Sequence, residues 1–290
     1  MGSKNRIAKW VLEQIPSADN FYDLFCGGCA ITHCAIEQRK FKNYFINDIK
    51  EEMPKVFIKG INGGFKNENK WISHKEFDKL KGKGDIYVDV CFSFGNNWHK
   101  GYAYSKKIEP LKKAAHYAIF FKDCLLMDEI GIDVRGVKKI GTKKDRYLAF
   151  KKIIKPIVGH FQLESLERLQ RLQSLSDIVI NNDITQTSTS YSDVKIKPNS
   201  VIYCDIPYRN TEKYQKNEFD YDSFYKWALG QKEPIFISEY WMPDDFICIA
   251  EKERTSSMSA TNKSLRKTEK IFVPKHQFNK YVENSPLLFA

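Results

Sequence analysis

The chain has 290 residues, 42% of them hydrophobic, and its 47 basic and 36 acidic side chains give a net charge of +11. A chain of this length is expected to bury a full-sized hydrophobic core. No apolar stretch reaches membrane length, which excludes a membrane-spanning protein. Seven cysteines, an odd number, and no secretory signal predict free thiols in a reducing cytoplasm.

The first elements along the chain predict a nucleotide-binding unit. Residues 7–12 predict a short helix, and an apolar strand at 21–25 runs into a glycine-rich turn at 26–30 and a helix at 31–38. Glycines let the backbone approach a ligand closely, so this succession is typical of nucleotide sites. No Gly-Lys-Ser/Thr follows the glycines, and the dinucleotide fingerprint is incomplete. The turn therefore favours a nucleoside without phosphates.

A second apolar strand, 44–48, ends in an acid. Asp48 follows Asp23 by 25 residues, near the offset of about 20 at which an acid meets a ribose hydroxyl pair. A helix N-cap is the alternative role for Asp48. The nearby cysteines Cys26, Cys29 and Cys34 have no matching Cys or His pair at zinc spacing, so no metal site is predicted.

The middle of the chain carries the whole surplus of positive charge. Residues 55–164 contain 23 basic and 12 acidic side chains. Such a concentration is typical of a surface that binds a polyanion, and a lysine-rich solvated surface is the alternative.

Aromatic and amide side chains lie among these charges at residues 92–102. Asn can bind adenine edges, aromatics can stack on bases, and lysines can contact phosphates. The candidate DNA-binding residues are Asn96, Asn97, Trp98, Lys100, Tyr102, Lys106 and Lys107. The alternative is structural: Phe92 and Phe94 pack in a core and Asn96-Asn97 form a turn.

The later elements extend the sheet. Leucines at helical spacing over 161–175 predict an amphipathic helix that packs against it. Apolar runs predict strands at 201–204, 235–238, 246–250 and 270–273. Strands that alternate with helices predict an α/β fold, a mostly parallel sheet with helices on both faces. The Ser- and Thr-rich segment 185–192 predicts a mobile loop.

Asp205-Ile206-Pro207-Tyr208 follows the strand at 201–204, where open α/β sheets bind ligands. A carboxylate and a backbone carbonyl can accept hydrogen bonds from the exocyclic amine of a base and draw electron density towards its nitrogen. Pro207 shapes a rigid turn, and Tyr208 can stack on a flipped base. The alternative is a strand that ends in a proline turn with Asp205 as a cap.

Together these residues resemble the Dam-type N6-adenine DNA methyltransferases, including phage and prophage members. Asp23-Leu24-Phe25-Cys26-Gly27-Gly28 resembles the loop that binds S-adenosylmethionine, and Asp205-Ile206-Pro207-Tyr208 resembles the catalytic Asp-Pro-Pro-Tyr motif. Gly2-Ser3-Lys4 resembles the family's lysine motif, and Asn182-Asp183-Ile184, after the apolar run 178–180, its adenine-ring segment. Donor loop, recognition region and catalytic motif follow the family's α-type order.

The resemblance implies a Rossmann-like methyltransferase sheet with an inserted, mainly helical recognition domain. Residues 1–55 and 166–290 would form the methyltransferase domain, and 56–165 the insert. The implied catalytic residues are Asp205, Ile206, Pro207 and Tyr208. The implied donor-binding residues are Lys4, Asp23, Leu24, Phe25, Gly27, Gly28, Asp48, Ile49, Asp183, Ile184 and Asp205.

The implied function is site-specific methylation of adenine N6 in double-stranded DNA, with S-adenosylmethionine as cofactor, by base flipping and direct transfer. A cytosine-N4 methyltransferase, an RNA adenine methyltransferase and a catalytically silent DNA-binding relative stay open as alternatives. A cognate restriction enzyme and the choice between monomer and weak dimer also stay open. The chain departs from the family pattern at Ile206, where the family has proline, and at Cys29, where it has glycine.

Overall fold

The computed structural model describes residues 4–94, 101–159, 161–177, 183–209, 219–256 and 265–278. The chain divides into two compact units, one formed by Met1–Ile58 with Ile178–Ala290 and the other by Lys59–Asp177. The helices are α1 (Ala8–Glu13), α2 (Ala30–Glu37), α3 (Glu52–Ile61), α4 (His74–Leu80), α5 (Ile86–Phe92), α6 (Glu109–Phe121), α7 (Leu125–Glu129), α8 (Lys143–Val158), α9 (Glu164–Ser174) and α10 (Tyr221–Leu229). The strands are β1 (Asn20–Asp23), β2 (Asn43–Asn47), β3 (Ile184–Thr187), β4 (Ser200–Cys204), β5 (Ile235–Glu239), β6 (Phe246–Ser256) and β7 (Leu265–Pro274).

The strands of the first unit form one sheet in the order β3-β2-β1-β4-β5-β7-β6. The neighbours from β3 to β5 are parallel, whereas β7 runs antiparallel to both β5 and β6. This confirms the predicted α/β fold with a Rossmann-like, mostly parallel sheet. The strand order reverses between β1 and β4, and in open α/β sheets the ligand crevice lies beyond the carboxyl ends at that point.

The three central strands are buried at every position, as expected of a parallel sheet covered on both faces. Their β-branched and aromatic side chains fit a pleated, covered surface. The core cluster beside β4 and β5 includes Ile206, which is 2% exposed, together with Phe224 and Phe246. Ile206 therefore fills the core directly after the strand that ends at Cys204.

The prediction of a mobile loop over 185–192 is wrong, because β3 covers Ile184–Thr187 and a 3-10 turn covers Tyr191–Asp193. The buried amide of Asn47 orders this segment. Its nitrogen donates to the carbonyls of Leu24 (3.2 Å) and Thr189 (3.1 Å), and its oxygen accepts from the hydroxyl of Thr187 (2.8 Å). One side chain thus links the carboxyl ends of β1, β2 and β3.

The second unit is helical in the part of it that the structure describes. Ser73, Asp85 and Thr142 cap the N-termini of α4, α5 and α8. Helix α9 packs on α5 within this unit, whereas the sequence predicts that it packs against the sheet. Its leucine spacing correctly indicates one buried face, but periodicity alone does not identify the partner of that face. Phe94 is also not a core residue, because it is 59% exposed.

Within the described residues, no helix is both long and apolar enough to cross a membrane.

Ile206→Ala should lower the free energy of unfolding by about 2 to 5 kcal/mol, because it removes a buried aliphatic side chain and leaves a cavity. Ile49→Ala is the matched control, since Ile49 is 73% exposed and its truncation should change stability by at most about 0.5 kcal/mol. Urea denaturation of both variants measures the difference. Equal small effects would contradict the placement of Ile206 in the core.

Candidate active site

Two acids lie side by side at the point where the strand order reverses. Asp23 ends β1 and pairs in register with Tyr203 of β4, and Asp205 follows the last residue of β4. The amide of Leu24 continues the ladder by donating to the Tyr203 carbonyl at 3.0 Å. Because the carboxyl ends of parallel strands meet at one edge, two residues 182 positions apart in the sequence share one site.

The Lys4 ammonium lies at the centre of this site. Lys4 begins a 3-10 turn at Lys4–Arg6 and is 7% exposed. Its Nζ lies 3.3 Å from Asp205 Oδ1 and 2.9 Å from Glu269 Oε2, and it also donates to the Tyr208 hydroxyl. The Tyr208 hydroxyl in turn donates to Glu269 Oε2 at 2.8 Å. These four side chains, Lys4, Asp205, Tyr208 and Glu269, are called the lysine cluster below.

The electrostatics of the lysine cluster follow from its burial. Burial raises the pKa of the Asp205 carboxyl above its ordinary value, and the Lys4 ammonium opposes that rise. Burial, followed by the charges of Asp205 and Glu269, raises the pKa of the Tyr208 hydroxyl. Tyr208 therefore keeps its proton and acts as the hydrogen-bond donor to Glu269.

Asp23 is almost fully enclosed, with 1% of its surface exposed. Its Oδ2 accepts a hydrogen bond from the Thr32 hydroxyl of α2 at 2.7 Å. Burial raises its pKa from 3.8 to about 7, the Thr32 hydrogen bond opposes the rise, and the charges of Asp205 and Asp48 add to it. The end of β1 thus carries a carboxyl group that exchanges a proton near neutral pH.

The glycine-rich turn between β1 and α2 is closed by Asp48. Gly27 has a φ of +46°, a conformation that favours glycine, and its amide donates to Asp48 Oδ2 at 2.8 Å. Asp48 Oδ1 accepts from the amide of Lys50 at 2.9 Å. A Cβ on Gly27 would meet no atom within 4 Å, so this side of the turn is open. The backbone of Cys29 also adopts the left-handed conformation, with a φ of 54°, and its side chain is buried.

Glu239 anchors the segment that follows the Asp-Ile-Pro-Tyr motif. It ends β5, is 1% exposed, and accepts hydrogen bonds from the amides of Tyr240 (2.7 Å) and Arg209 (3.2 Å). Burial raises its pKa from 4.5 to about 7. The Arg209 guanidinium lies 4.8 Å from the ring centre of Tyr221 and 5.5 Å from that of Trp241.

Glu239 and Glu269 lie at the site although neither is among the residues predicted from the sequence. Glu239 has a recognisable signal, an acid at the end of an apolar strand. Glu269 has none, because it lies in the middle of β7. That strand is antiparallel, with Lys270 opposite Glu239, so Glu269 lies at the carboxyl edge of β5.

Two predicted donor-binding residues, Asp183 and Ile184, are not brought to this edge. Asp183 directly precedes β3, and its carbonyl accepts from the amide of Tyr44 (3.1 Å), near the start of β2. Asp183 and Ile184 therefore lie at the amino edge, opposite the candidate site, which corrects their predicted position. The apolar run 178–180 and Asn182 lie outside the described residues. Leu24 is buried, whereas Ile49, beside Asp48, is exposed.

Phe25, the remaining predicted donor-binding residue near β1, faces the core cluster. Its ring centre lies 5.5 Å from that of Tyr191 and 5.8 Å from that of Phe224. Its backbone rather than its ring belongs to the donor loop.

The predicted DNA-binding residues have mixed outcomes. Tyr102 is 7% exposed and donates to the carbonyl of Ile72 at 2.6 Å. Its ring stacks on His74, so Tyr102 is a core residue of the second unit and its prediction as a DNA contact is wrong. Lys106 and Lys107 are exposed. Asn96, Asn97, Trp98 and Lys100 lie outside the described residues.

A metal centre is absent from the described part of the chain, where no three or more His, Cys, Asp or Glu side chains are grouped to hold an ion. Acids at the switch point of a mostly parallel sheet, beside an open glycine turn, lie where open α/β sheets bind their ligands.

Comparison with known proteins identifies the class more closely. Residues 1–125 match the family model of the D12 class N6 adenine-specific DNA methyltransferases. The match confirms the class predicted from the sequence, an S-adenosylmethionine-dependent, adenine-specific DNA methyltransferase. The matched segment contains Lys4, Asp23, the glycine turn and Asp48.

Two further comparisons add little. No curated protein matches the sequence at a significant level. Among solved structures, the rRNA methyltransferase AviRa from Streptomyces viridochromogenes is similar to this chain, with 8% sequence identity and a TM-score of 0.36. The alignment covers 97% of this chain and 88% of AviRa. A similarity at this TM-score bears on neither the fold nor the function.

Asp23→Asn should flatten the dependence of stability on pH. The pKa of Asp23 rises from 3.8 to about 7 on folding, so between these values the folded protein holds a proton that the unfolded chain has released. Stability is therefore lost as the pH rises through this window, by about 4 kcal/mol in full and about 2 to 3 kcal/mol between pH 5 and 8. Urea denaturation at pH 5 and pH 8 measures this loss, which should be about 2 to 3 kcal/mol smaller in the variant than in the wild type.

Asp19→Asn is the control for this measurement. Asp19 lies just before β1, and its pKa is lowered by a hydrogen bond from Lys42. It is ionised in both states between pH 5 and 8, so its removal should leave the wild-type slope unchanged. If the stability of Asp23→Asn depended on pH as steeply as that of the wild type, the raised pKa of Asp23 would be contradicted.

Proposed function

We propose that this protein transfers a methyl group from S-adenosylmethionine to the N6 atom of an adenine that has been flipped out of duplex DNA. The observation that carries the proposal is the lysine cluster, which holds the Asp205 carboxylate at the carboxyl end of β4, next to the donor loop on β1. Two neighbouring strands thereby supply a site for the donor and a site for the base.

The residues of the donor loop fit a nucleoside. Asp48 lies at the end of β2, where an acid can accept hydrogen bonds from ribose hydroxyls while it holds the Gly27 amide. The open side of Gly27 allows close approach. The backbone of Leu24, Phe25 and Gly28 and the side chain of Ile49 complete the proposed donor contacts. Asp23 and Lys4 lie beyond them, towards Asp205.

S-adenosylmethionine would supply an electrophilic methyl group on a positively charged sulfur. The acids at the ends of β1 and β4 favour such a positive charge over a neutral or negative group. Asp23 is partly protonated near neutral pH in the free protein, and an adjacent positive charge would favour its ionised form.

Asp205 is proposed to accept a hydrogen bond from the adenine N6 amine. The carbonyl of Ile206 is proposed as the second acceptor, because the Pro207 carbonyl already accepts from the Tyr221 hydroxyl at 2.8 Å. Two such bonds would draw electron density towards a nitrogen whose lone pair is otherwise delocalised into the ring. Positioning and electrostatics of this kind account for most of the rate enhancement that direct transfer requires.

Tyr208 is proposed to stack on the flipped base. Its ring orientation is fixed by its hydroxyl, which bonds Glu269, and by the ring of Tyr240, whose centre lies 4.5 Å away. Stacking between aromatic side chains is the usual way to hold an extruded base.

The second unit is proposed to bind DNA through its basic surface. Lys106 and Lys107 are exposed and can contact phosphates, which position DNA without specifying its sequence. The family match favours adenine over cytosine N4 as the acceptor. The intact lysine cluster favours an active enzyme over a catalytically silent relative.

Asp205→Asn should abolish methyl transfer while donor binding is retained, because the amide is nearly isosteric but cannot act as the charged acceptor. Transfer of labelled methyl groups to duplex DNA and calorimetry with the demethylated donor product measure the two properties. Asp222→Asn, in an exposed position on α10, is the matched control and should keep wild-type rates. Near-wild-type transfer by Asp205→Asn would refute the assignment.

Lys106→Ala/Lys107→Ala should weaken DNA binding about equally for all sequences and reduce the salt slope of the affinity by up to about 2. Titration of a labelled duplex at several salt concentrations measures both quantities. Lys232→Ala is the control, since Lys232 is exposed on the amino side of β5, at the edge of the sheet opposite the candidate site. An unchanged salt slope in the double variant would exclude these lysines as phosphate contacts.

A further inference from the structure

Glu269 is a buried acid to which the sequence pattern assigns no role. It is 2% exposed, and the antiparallel course of β7 brings it from mid-strand to the carboxyl edge of β5. One oxygen, Oε2, accepts from both the Lys4 ammonium (2.9 Å) and the Tyr208 hydroxyl (2.8 Å). Burial of a carboxylate is costly unless it is paired, and here both partners belong to the proposed catalytic site.

We propose that Glu269 is a positioning residue for methyl transfer, which holds the Lys4 ammonium back from Asp205 and fixes the ring of Tyr208. The proposal rests on the function proposed above, and it adds a residue that acts through Lys4, Tyr208 and the pKa of Asp205. Glu269 is not expected to touch donor or base.

The first effect concerns competition for the Asp205 carboxylate. Lys4 Nζ is closer to Glu269 (2.9 Å) than to Asp205 (3.3 Å), so the ammonium is shared with a bias towards Glu269. Without the Glu269 charge, the buried ammonium would close on Asp205, the remaining carboxylate. It would then occupy the oxygen lone pairs that must accept from the adenine amine.

The second effect concerns the orientation of Tyr208. A tyrosine that stacks on a base must hold its ring plane steady, and a hydrogen bond at the hydroxyl restricts the ring at its far end. Since Tyr208 keeps its proton, a carboxylate is the matching acceptor. An amide at position 269 can still accept from Tyr208, but its NH2 group meets the Lys4 ammonium as a second donor.

The charge of Glu269 also bears on Asp205, whose pKa it raises. The titratable groups that face Asp205 come from five elements. They are Lys4 of the N-terminal 3-10 turn, Asp23 of β1, Tyr203 and Cys204 of β4 with Tyr208 after it, Glu239 of β5 and Glu269 of β7. Removal of one negative charge from this set lowers the pKa of Asp205, so its ionised form extends to lower pH.

Glu269→Gln tests the proposal in the full-length protein. We expect kcat to fall by about 100-fold, the loss typical of a displaced catalytic group, with the Kd for the demethylated donor product unchanged within about threefold. The acid limb of the pH–rate profile should move to lower pH. A residue that only stabilised the fold would not move this limb in that direction.

Glu251→Gln is the matched control. Glu251 lies on β6, opposite Lys270 in the same β6–β7 pair, and its exposed carboxylate bonds Lys270 Nζ at 2.7 Å. The same chemical change there removes an ion pair from the same hairpin without reaching the lysine cluster. It should leave kcat and the pH profile at wild-type values.

A double-mutant cycle with Tyr208→Phe separates the two effects. If Glu269 acts through the Tyr208 hydroxyl, the combined variant should lose less than the product of the two single losses. Glu269→Asp, which keeps the charge, should recover most of the activity.

The outcomes are distinct. A wild-type enzyme without methyl transfer would refute the proposed function itself. An active wild-type enzyme together with a Glu269→Gln variant of unchanged kcat and pH profile would overturn only the role of Glu269. A fall in kcat that is matched by loss of donor binding or of thermal stability, with an unmoved acid limb, would assign Glu269 to the fold and likewise overturn the proposal.

Discussion

The site depends on one buried ammonium group. Lys4 lies at the carboxyl edge of the sheet with acceptors from two strands and one turn around it, Asp205 after β4, Glu269 on β7 and the hydroxyl of Tyr208. A buried charge is tolerated only when it is paired and hydrogen-bonded. The ammonium compensates two carboxylates that would otherwise repel each other, so the N-terminal turn, β4 and β7 are held in one arrangement by electrostatics as well as by packing.

The sheet concentrates acids at this edge, and their burial has a consequence for proton binding. Asp23 and Glu239 end neighbouring elements of the sheet on either side of β4, and burial raises the pKa of both to about 7. Each is therefore partly protonated at neutral pH, whereas the Lys4 ammonium opposes such a rise at Asp205. Of Asp23, Asp205 and Glu239, only Asp205 lies within 4 Å of the Lys4 ammonium, and that positive charge favours its ionised form. This division suits a site in which one carboxylate must accept hydrogen bonds.

Local patterns predicted most of the sheet and much of the site. Four predicted site residues at this edge each follow an apolar run that forms a strand: Asp23, Gly27, Asp48 and Asp205. Because the carboxyl ends of parallel strands meet at one edge, the motifs alone predict that these residues lie close together. Asp183 fails the same logic because it precedes the third strand, β3, instead of following it. Tyr102 looked like a base-stacking residue by composition, but its hydroxyl finds a backbone partner in a core. Glu269 depends on the pairing of an antiparallel strand, which no local pattern encodes.

The departure at Ile206 shows how fold and chemistry share one turn. A proline at this position would offer no backbone N–H and would fix φ, whereas isoleucine offers a side chain, and here that side chain is buried in the core cluster. Three interactions fix the turn. Ile206 packs in the core, the Tyr221 hydroxyl donates a hydrogen bond to the Pro207 carbonyl, and the Arg209 amide donates one to Glu239. Rigidity that a second proline would supply through the backbone is supplied here by packing and hydrogen bonds. The geometry of the Asp205 turn is thereby tied to the stability of the core beneath it.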